Sequence, residues 1–286
     1  MNRLEYLLRS SQVTIRRFDH QPDAVHADPE EEVCQDYAIH FVEAGSFQLS
    51  TGGKHWTLSP GSVFISRPAA VHRYTHPQSV PSDVCLSVVY ARQFVEEVGH
   101  EDGLLPPGVP TALPATNRLA YLKLRLAGLP RGADAFALET WACELMTAVA
   151  TGDPGKGRLY CARQLRWYAE RVEATCEMLD HHYAEPHSLA SLAAEVGMSP
   201  FQFARVFREL KGLPPHQYLL KVRLDRAYKL IREGQSVTET CFDVGFLNLS
   251  HFTRSFRRRF GHPPSTLKPA RITRTKKPQE SASHGA

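Results

Sequence analysis

Two stretches in the second half of the chain carry the same pattern. Ser188 to Gly197 (SLASLAAEVG) aligns with Ser236 to Gly245 (SVTETCFDVG) at an offset of 48 residues. Ser199 to Pro215 (SPFQFARVFRELKGLPP) aligns with Asn248 to Pro264 (NLSHFTRSFRRRFGHPP) at an offset of 49. The one-residue slip falls in the turn between the two stretches, where an insertion costs least. Val196/Val244, Gly197/Gly245, Phe203/Phe252, Arg205/Arg254, Phe207/Phe256 and Gly212/Gly261 recur in order, and each copy ends in Pro-Pro. This is a duplicated supersecondary unit.

Local chemistry identifies the unit. Ser199-Pro200-Phe201-Gln202 places a hydroxyl at the N-cap, proline at the first helical position and glutamine at the third. The hydroxyl takes an orphan backbone N–H while the glutamine reaches back. Ser236-Val237-Thr238-Glu239 is a second capping box, and Asn248 caps the last helix. Gly212 and Gly261 stand where a left-handed residue closes a helix ahead of Pro-Pro. Each copy is therefore a short helix, a turn at Gly197 or Gly245, and a longer helix, which is a helix-turn-helix outline. Leu189, Leu192 and Val196, with Val237, Cys241 and Val244, face the core from the first helices. Phe203, Phe207, Phe252 and Phe256 pack from the second helices and position them without reading anything.

Spacing and charge point to the partner. Pro215 to Glu233 lies between the copies, with Tyr218, Leu219, Val222, Leu224, Ala227, Leu230 and Ile231 as an apolar stripe. As a helix it is about 28 Å long, against roughly 34 Å for the major-groove repeat of B-DNA. Residues 161–286 hold 20 Lys+Arg and 12 Asp+Glu, a net of +8, whereas residues 1–160 hold 14 and 18, a net of −4. A cationic half carrying two paired reading units favours duplex DNA over RNA or a protein partner. The bound site need not be palindromic within one chain.

At 286 residues, 42% apolar and 22% charged, the composition is that of a soluble globular protein and excludes collagen-like or wholly disordered classes. No apolar run reaches the ~18 residues of a membrane span, and the N-terminus lacks the apolar core of a signal peptide. Six cysteines lie scattered without a C-x-x-C pair, which fits a reduced cytoplasm and no zinc site.

Tyr37 to Tyr90 is strand-like. Candidate strands at 37–42, 46–50, 54–58, 62–66 and 84–90 are separated by Gly45, Gly52-Gly53 and Pro60-Gly61, as in an antiparallel sandwich or barrel. From Asn117 the period becomes helical, with Leu119, Leu122, Leu126 and Leu129 as one stripe and Phe136 to Met146 as another. Thr151 to Gly157 reads as a linker. The expected fold is α+β: an N-terminal antiparallel β-barrel with following helices, then an all-α domain of two helix-turn-helix units joined by a linker helix. The expected boundaries are 1–150, a linker at 151–162, 163–270, and a disordered basic tail at 271–286.

The back half, about 165–268, resembles the DNA-binding domain of the AraC family of bacterial transcription regulators. The resemblance rests on Leu189-Ala190-Ser191-Leu192-Ala193, Ser199-Pro200, Arg205-Val206-Phe207-Arg208 and Arg223-Leu224-Asp225-Arg226-Ala227. Its most specific part is Gly245-Phe246, Ser250-His251-Phe252-Thr253-Arg254-Ser255-Phe256 and Gly261-His262-Pro263-Pro264-Ser265. Cys241 stands where alanine is usual, and Leu267-Lys268 replaces an aromatic–arginine ending. The resemblance implies that the second helix of each unit enters a major groove. Phe201, Ala204 and Arg205 then face bases from the first unit, and Ser250, His251, Thr253 and Arg254 from the second. Arginine can pair bidentately with guanine, and Thr or Ala can touch a thymine methyl. Arg208, Lys211, Arg257, Arg258 and Lys268 are placed as phosphate contacts, which give affinity and salt dependence. The competing reading of Arg254 is a salt bridge within the domain.

Gly61-Ser62-Val63-Phe64-Ile65-Ser66-Arg67-Pro68-Ala69-Ala70-Val71-His72 resembles the second half of a cupin motif, as in the sensor barrels of the AraC family. A metal-binding cupin needs an H-x-H pair and a glutamate on an earlier strand; here that strand offers His40 alone and Glu43 is badly spaced, so neither metal nor cofactor is expected. Ala38, His40 and Val42 share one face of their strand, and Tyr37, Ile39 and Phe41 the other; either is open to be the interior. His40, Trp56, Phe64, His72 and Tyr74 are candidates for a small-molecule effector pocket, or else plain barrel core and rim. Leu122, Leu126 and Trp141 either form a homodimer surface, by family analogy, or pack on their own barrel. The family also implies RNA polymerase as a partner. The resulting expectation is an effector-responsive transcriptional regulator, not an enzyme. The alternatives are a cupin metalloenzyme fused to a DNA-binding module and a DNA-alkylation-repair protein, the last requiring an activated cysteine.

Overall fold

The structure, a computed structural model, describes residues 3–20, 30–77, 82–98, 111–130, 134–151 and 158–267. Residues 152–157 of the expected linker at 151–162, Lys268 and the tail at 271–286 lie outside the described residues. Ten strands and nine α-helices occur among the described residues. They run β1 (Arg3–Arg9), β2 (Val13–His20), β3 (Glu30–Val33), β4 (Tyr37–Ala44), β5 (Phe47–Thr51), β6 (Lys54–Leu58), β7 (Val63–Ser66), β8 (Val71–Thr75) and β9 (Asp83–Tyr90), then α1 (Arg92–Val98), β10 (Ala112–Leu113), α2 (Asn117–Gly128) and α3 (Ala135–Ala150). The remainder is helical: α4 (Ala162–His181), α5 (Leu189–Glu195), α6 (Pro200–Lys211), α7 (Pro215–Arg232), α8 (Val237–Asp243) and α9 (Leu249–Phe260), closed by a 3-10 turn at Pro264–Thr266. The chain divides into two compact units, Met1–Val172 with Val206–Gly212, and Glu173–Arg205 with Leu213–Ala286.

The strands of the first unit form two antiparallel sheets, ordered β1-β2-β9-β4-β7-β10 and β3-β8-β5-β6. Side chains alternate across a strand, and both faces of β4 are buried. Val42 joins Phe47, Leu49, Leu58, Phe64 and Cys85 in a core between the sheets, so the Ala38/His40/Val42 face is the interior. Ile39 and Phe41 are buried on the opposite face, the face on which Tyr90 of β9 donates its hydroxyl to the Ala142 carbonyl of α3 at 3.2 Å. Gly52 and Gly53 both have positive φ, 55° and 72°, between the paired residues Thr51 and Lys54. That is the conformation a two-residue hairpin needs and glycine supplies at no steric cost.

The sheet begins earlier than the strand pattern at Tyr37 indicates. β1 and β2 are strands too, and β1 is exposed along nearly its whole length, so its sequence shows no inward-facing alternation. The helices that follow pack within the first unit. Leu122, Leu126 and Trp141 are buried, and the Trp141 indole donates to the Leu122 carbonyl at 2.9 Å. These three residues therefore do not form an exposed dimerisation stripe. Phe136 also departs from expectation: it is 75% exposed, because it sits in the first turn of α3, where the stripe runs past its packing partner.

In the two repeats the N-caps stand where the sequence places them. Gln202 N–H donates to Ser199 Oγ at 3.3 Å, Glu239 N–H to Ser236 Oγ at 3.2 Å and His251 N–H to Asn248 Oδ1 at 2.7 Å. At the expected second capping box Glu239 accepts from the Ser236 hydroxyl, at 2.7 Å, in place of the Ser236 backbone N–H. Gly197, Gly212, Gly245 and Gly261 all have positive φ. Phe203, Phe207, Phe252 and Phe256 are fully buried, and Phe252 and Phe256 pack with Cys241, Val244, Leu224 and Ile231 in one core. Leu189 is the exception among the expected core residues. It is the first residue of α5 and is exposed, while Leu192 is buried one turn on.

Candidate nucleic-acid interface and barrel cavity

The long helix of the second repeat, α9, is sharply two-sided. Phe252, Ser255 and Phe256 are buried on one side. On the other, Ser250, Thr253, Arg254, Arg257 and Arg258 line one open cleft along the helix. The 3.6-residue period produces this division, because positions 252 and 256 lie one turn apart and 250, 254 and 257 fall opposite. Among the described residues, Arg254 has no hydrogen bond or ion pair. Arg205, at the matched position of α6, is likewise exposed and unpaired. No salt bridge within the domain, the competing reading of Arg254, forms among the described residues. Phe201 is 82% exposed at the start of α6, His251 and Arg208 are exposed, and Ala204 and Lys211 are half-buried.

Two arginines near this surface are structural. The Arg259 guanidinium donates to both carboxylate oxygens of Asp225, at 2.8 and 2.9 Å. Arg223 donates to the carbonyls of Tyr183, Gly245 and Glu185 at 2.7, 2.8 and 2.9 Å. Arg223 belongs to the run that carries the family resemblance and Arg259 to the second repeat, yet the donors of both are spent inside the unit. The Arg254, Arg257 and Arg258 side chains on the open edge of α9, by contrast, make no such bond among the described residues.

The barrel encloses a cavity of about 270 Å³. His40, Phe64 and Tyr74, three of the candidate pocket residues, line it. Trp56 and His72 are not part of its lining: Trp56 packs half-buried against the core, and His72 is buried with Nδ1 hydrogen-bonded to the Tyr74 hydroxyl at 3.1 Å. His40 is tied at both ring nitrogens, to Ser87 Oγ at 2.8 Å and Ser66 Oγ at 2.7 Å, and its ring stacks on Phe64. Burial, with the positive charge of Arg16 and then His72, lowers its pKa to about 3, so the imidazole is neutral. Burial and Arg67 lower His72 in the same sense.

Sequence reasoning missed a second group on this cavity. His20, the last residue of β2, pairs across the ladder with Asp83, the first of β9. His76 follows β8 of the other sheet. His20 Nδ1 lies 3.1 Å from Asp83 Oδ1, His76 Nε2 lies 3.0 Å from the same oxygen, and the two nitrogens are 3.2 Å apart. Burial opposes the charge on Asp83, but hydrogen bonds from His76, Cys85 and His20 outweigh it and hold its carboxyl below the ordinary range. No local spacing signals this cluster, since the sheets alone bring positions 20, 76 and 83 together. No disulfide joins any of the six cysteines. Burial raises the thiols of Cys34, Cys85, Cys143 and Cys241, the opposite of an activated nucleophile.

The two units define a class: a β-barrel with a cavity, on the same chain as a helix-turn-helix domain. A family described as AraC-like ligand binding domain matches residues 15–137, and one described as helix-turn-helix domain matches residues 192–269. The first unit thus carries an AraC-like ligand binding domain and the second a helix-turn-helix domain, the pairing that the resemblance to the AraC family implied. It is 34% identical over 83 residues to the uncharacterized HTH-type transcriptional regulator YbfI of Bacillus subtilis, spanning 29% of this chain and 30% of that protein. It is 24% identical over 246 residues to the HTH-type transcriptional activator RhaS of Klebsiella pneumoniae, spanning 82% and 86%. A DNA-binding transcriptional dual regulator from Escherichia coli K-12 has a solved structure covering 33% of this chain and 86% of its own, at 28% identity and a TM-score of 0.31. The chain spans 30% of YbfI and 48% of the Yersinia enterocolitica activator VirF, well under the full length of these relatives. No helix among the described residues is long and apolar enough to cross a membrane.

Proposed function

We propose that this protein is a DNA-binding transcriptional regulator whose barrel cavity takes a small-molecule effector. The observation that carries the reading is the open edge of α9. Arg254, Arg257 and Arg258 project beside Ser250 and Thr253 with no partner of their own, on a helix anchored by two buried phenylalanines. In this reading Ser250, His251, Thr253 and Arg254 read base edges, with Phe201, Ala204 and Arg205 doing so from the first repeat. Arg208, Lys211, Arg257 and Arg258 hold phosphates, and Lys268 completes the set outside the described residues. His40, Phe64 and Tyr74 contact the effector. Effector binding changes transcription only by as much as it favours one arrangement of the two units over another.

The same reading makes the protein a cytoplasmic homodimer without enzymatic activity that contacts RNA polymerase, with activation the direction carried in the names of RhaS and VirF. Selection of bound sequences from a random duplex pool by the full chain tests it. The reading requires a reproducible motif, and enrichment of no sequence overturns it.

A further inference from the structure

We propose that His20, His76 and Asp83 form a binding site for one divalent transition-metal ion of the zinc or ferrous class at the wall of the barrel cavity. The three candidate ligand atoms form a nearly equilateral triangle with edges of 3.0, 3.1 and 3.2 Å. An ion with bonds of about 2.1 Å places neighbouring ligands about 3.0 Å apart in an octahedron and about 3.4 Å apart in a tetrahedron. The triangle already has the size of one coordination face, so metal entry needs little movement.

The donor chemistry selects the ion. Two imidazole nitrogens and one carboxylate suit Zn²⁺, Fe²⁺, Co²⁺ or Ni²⁺, whereas Ca²⁺ and Mg²⁺ prefer all-oxygen sites. The support is rigid on two sides. His20 and Asp83 are cross-strand partners in the β2–β9 ladder, and Cys85 Sγ donates to the far carboxylate oxygen, Asp83 Oδ2, at 3.2 Å. That bond turns Oδ1 toward the histidines. All three residues line the same cavity, so the remaining coordination positions open onto it and can accept water or an anionic group of an effector. His76 comes from the opposite sheet, so the ion would tie the two sheets together across the cavity.

The site does not depend on the DNA-binding reading, and its test contains no DNA. Full-length protein stripped of metal is titrated with Co²⁺, followed by visible absorption, and then with Zn²⁺. One equivalent of Co²⁺ should give d–d absorption, be displaced by one equivalent of Zn²⁺ and raise the melting temperature. The His76→Ala and Asp83→Asn variants should bind that equivalent at least about tenfold more weakly. His182→Ala, at an exposed surface histidine, should bind it as the parent does. Should His76→Ala fail to fold, His76→Gln keeps a donor for Asp83 and reads the same loss. Absence of a spectroscopically distinct equivalent, or equal uptake by the parent and the cavity variants, overturns the proposal.

Discussion

The Arg223 guanidinium donates to the Gly245 carbonyl at 2.8 Å, holding the turn that precedes the cap of α9. The same side chain takes the carbonyls of Tyr183 and Glu185, so one residue of α7 fixes the chain ahead of α5 and the turn of the second repeat together. Arg223→Ala removes three donors at once and should cost about 2–4 kcal/mol, read as a lower urea midpoint. Gly245→Ala should cost about 2 kcal/mol or more. Its φ is +86°, and an added Cβ would lie 2.6 Å from the Ala184 carbonyl oxygen.

Arg254 and Arg259 make opposite predictions although they are five positions apart on one helix. Arg259 pairs with Asp225, and both side chains are about a third exposed, at 32% and 40%. Arg259→Ala should therefore lower stability by roughly 0.5–1 kcal/mol. Arg254→Ala breaks nothing within the fold and should leave stability unchanged within about 0.5 kcal/mol, while DNA affinity falls. Paired denaturation and binding titrations of the two variants check both statements.

The second repeat was legible because its signals are local. Asn248, the Phe252/Phe256 spacing and Gly261 each act within one helix, and the cap, buried face and left-handed terminator appear where those residues stand. The barrel was legible only where strands are bounded by glycine and proline. β1 escaped because an exposed edge strand has no buried face to impose alternation. Leu189 and Phe136 continue the apolar periodicity into a first helical turn, where both are exposed. The His20–His76–Asp83 cluster was illegible for a different reason: sheet register and the approach of two sheets create it, and no short-range spacing records either.

Acid should destabilise the barrel through His40. Its pKa is about 3 in the folded protein against an ordinary 6.5. Between those values the unfolded chain binds a proton that the folded chain refuses. The stabilisation is complete above about 6.5 and is lost as pH falls toward about 3. The buried His72 adds to this in the same direction. Urea midpoints should fall from about pH 7 to about pH 5, and the slope should be shallower in His40→Asn.

The core of the second repeat should be intolerant of truncation. Phe256 is fully buried and packs with Phe252 and Phe260 at ring separations of 5.7 and 4.6 Å. Phe256→Ala should cost about 3–5 kcal/mol, visible as a lower melting temperature, and should abolish DNA binding wherever the unit no longer folds.

Sequence reading by the open edge of α9 is tested most directly by a salt-controlled anisotropy titration. The parent and Arg254→Ala would be measured against the duplex recovered by selection and against a scrambled duplex of equal length. A base-reading Arg254 predicts a loss of roughly 5- to 150-fold on the selected duplex and little change on the scrambled one. Equal losses on both would make Arg254 a phosphate contact and contradict the assignment.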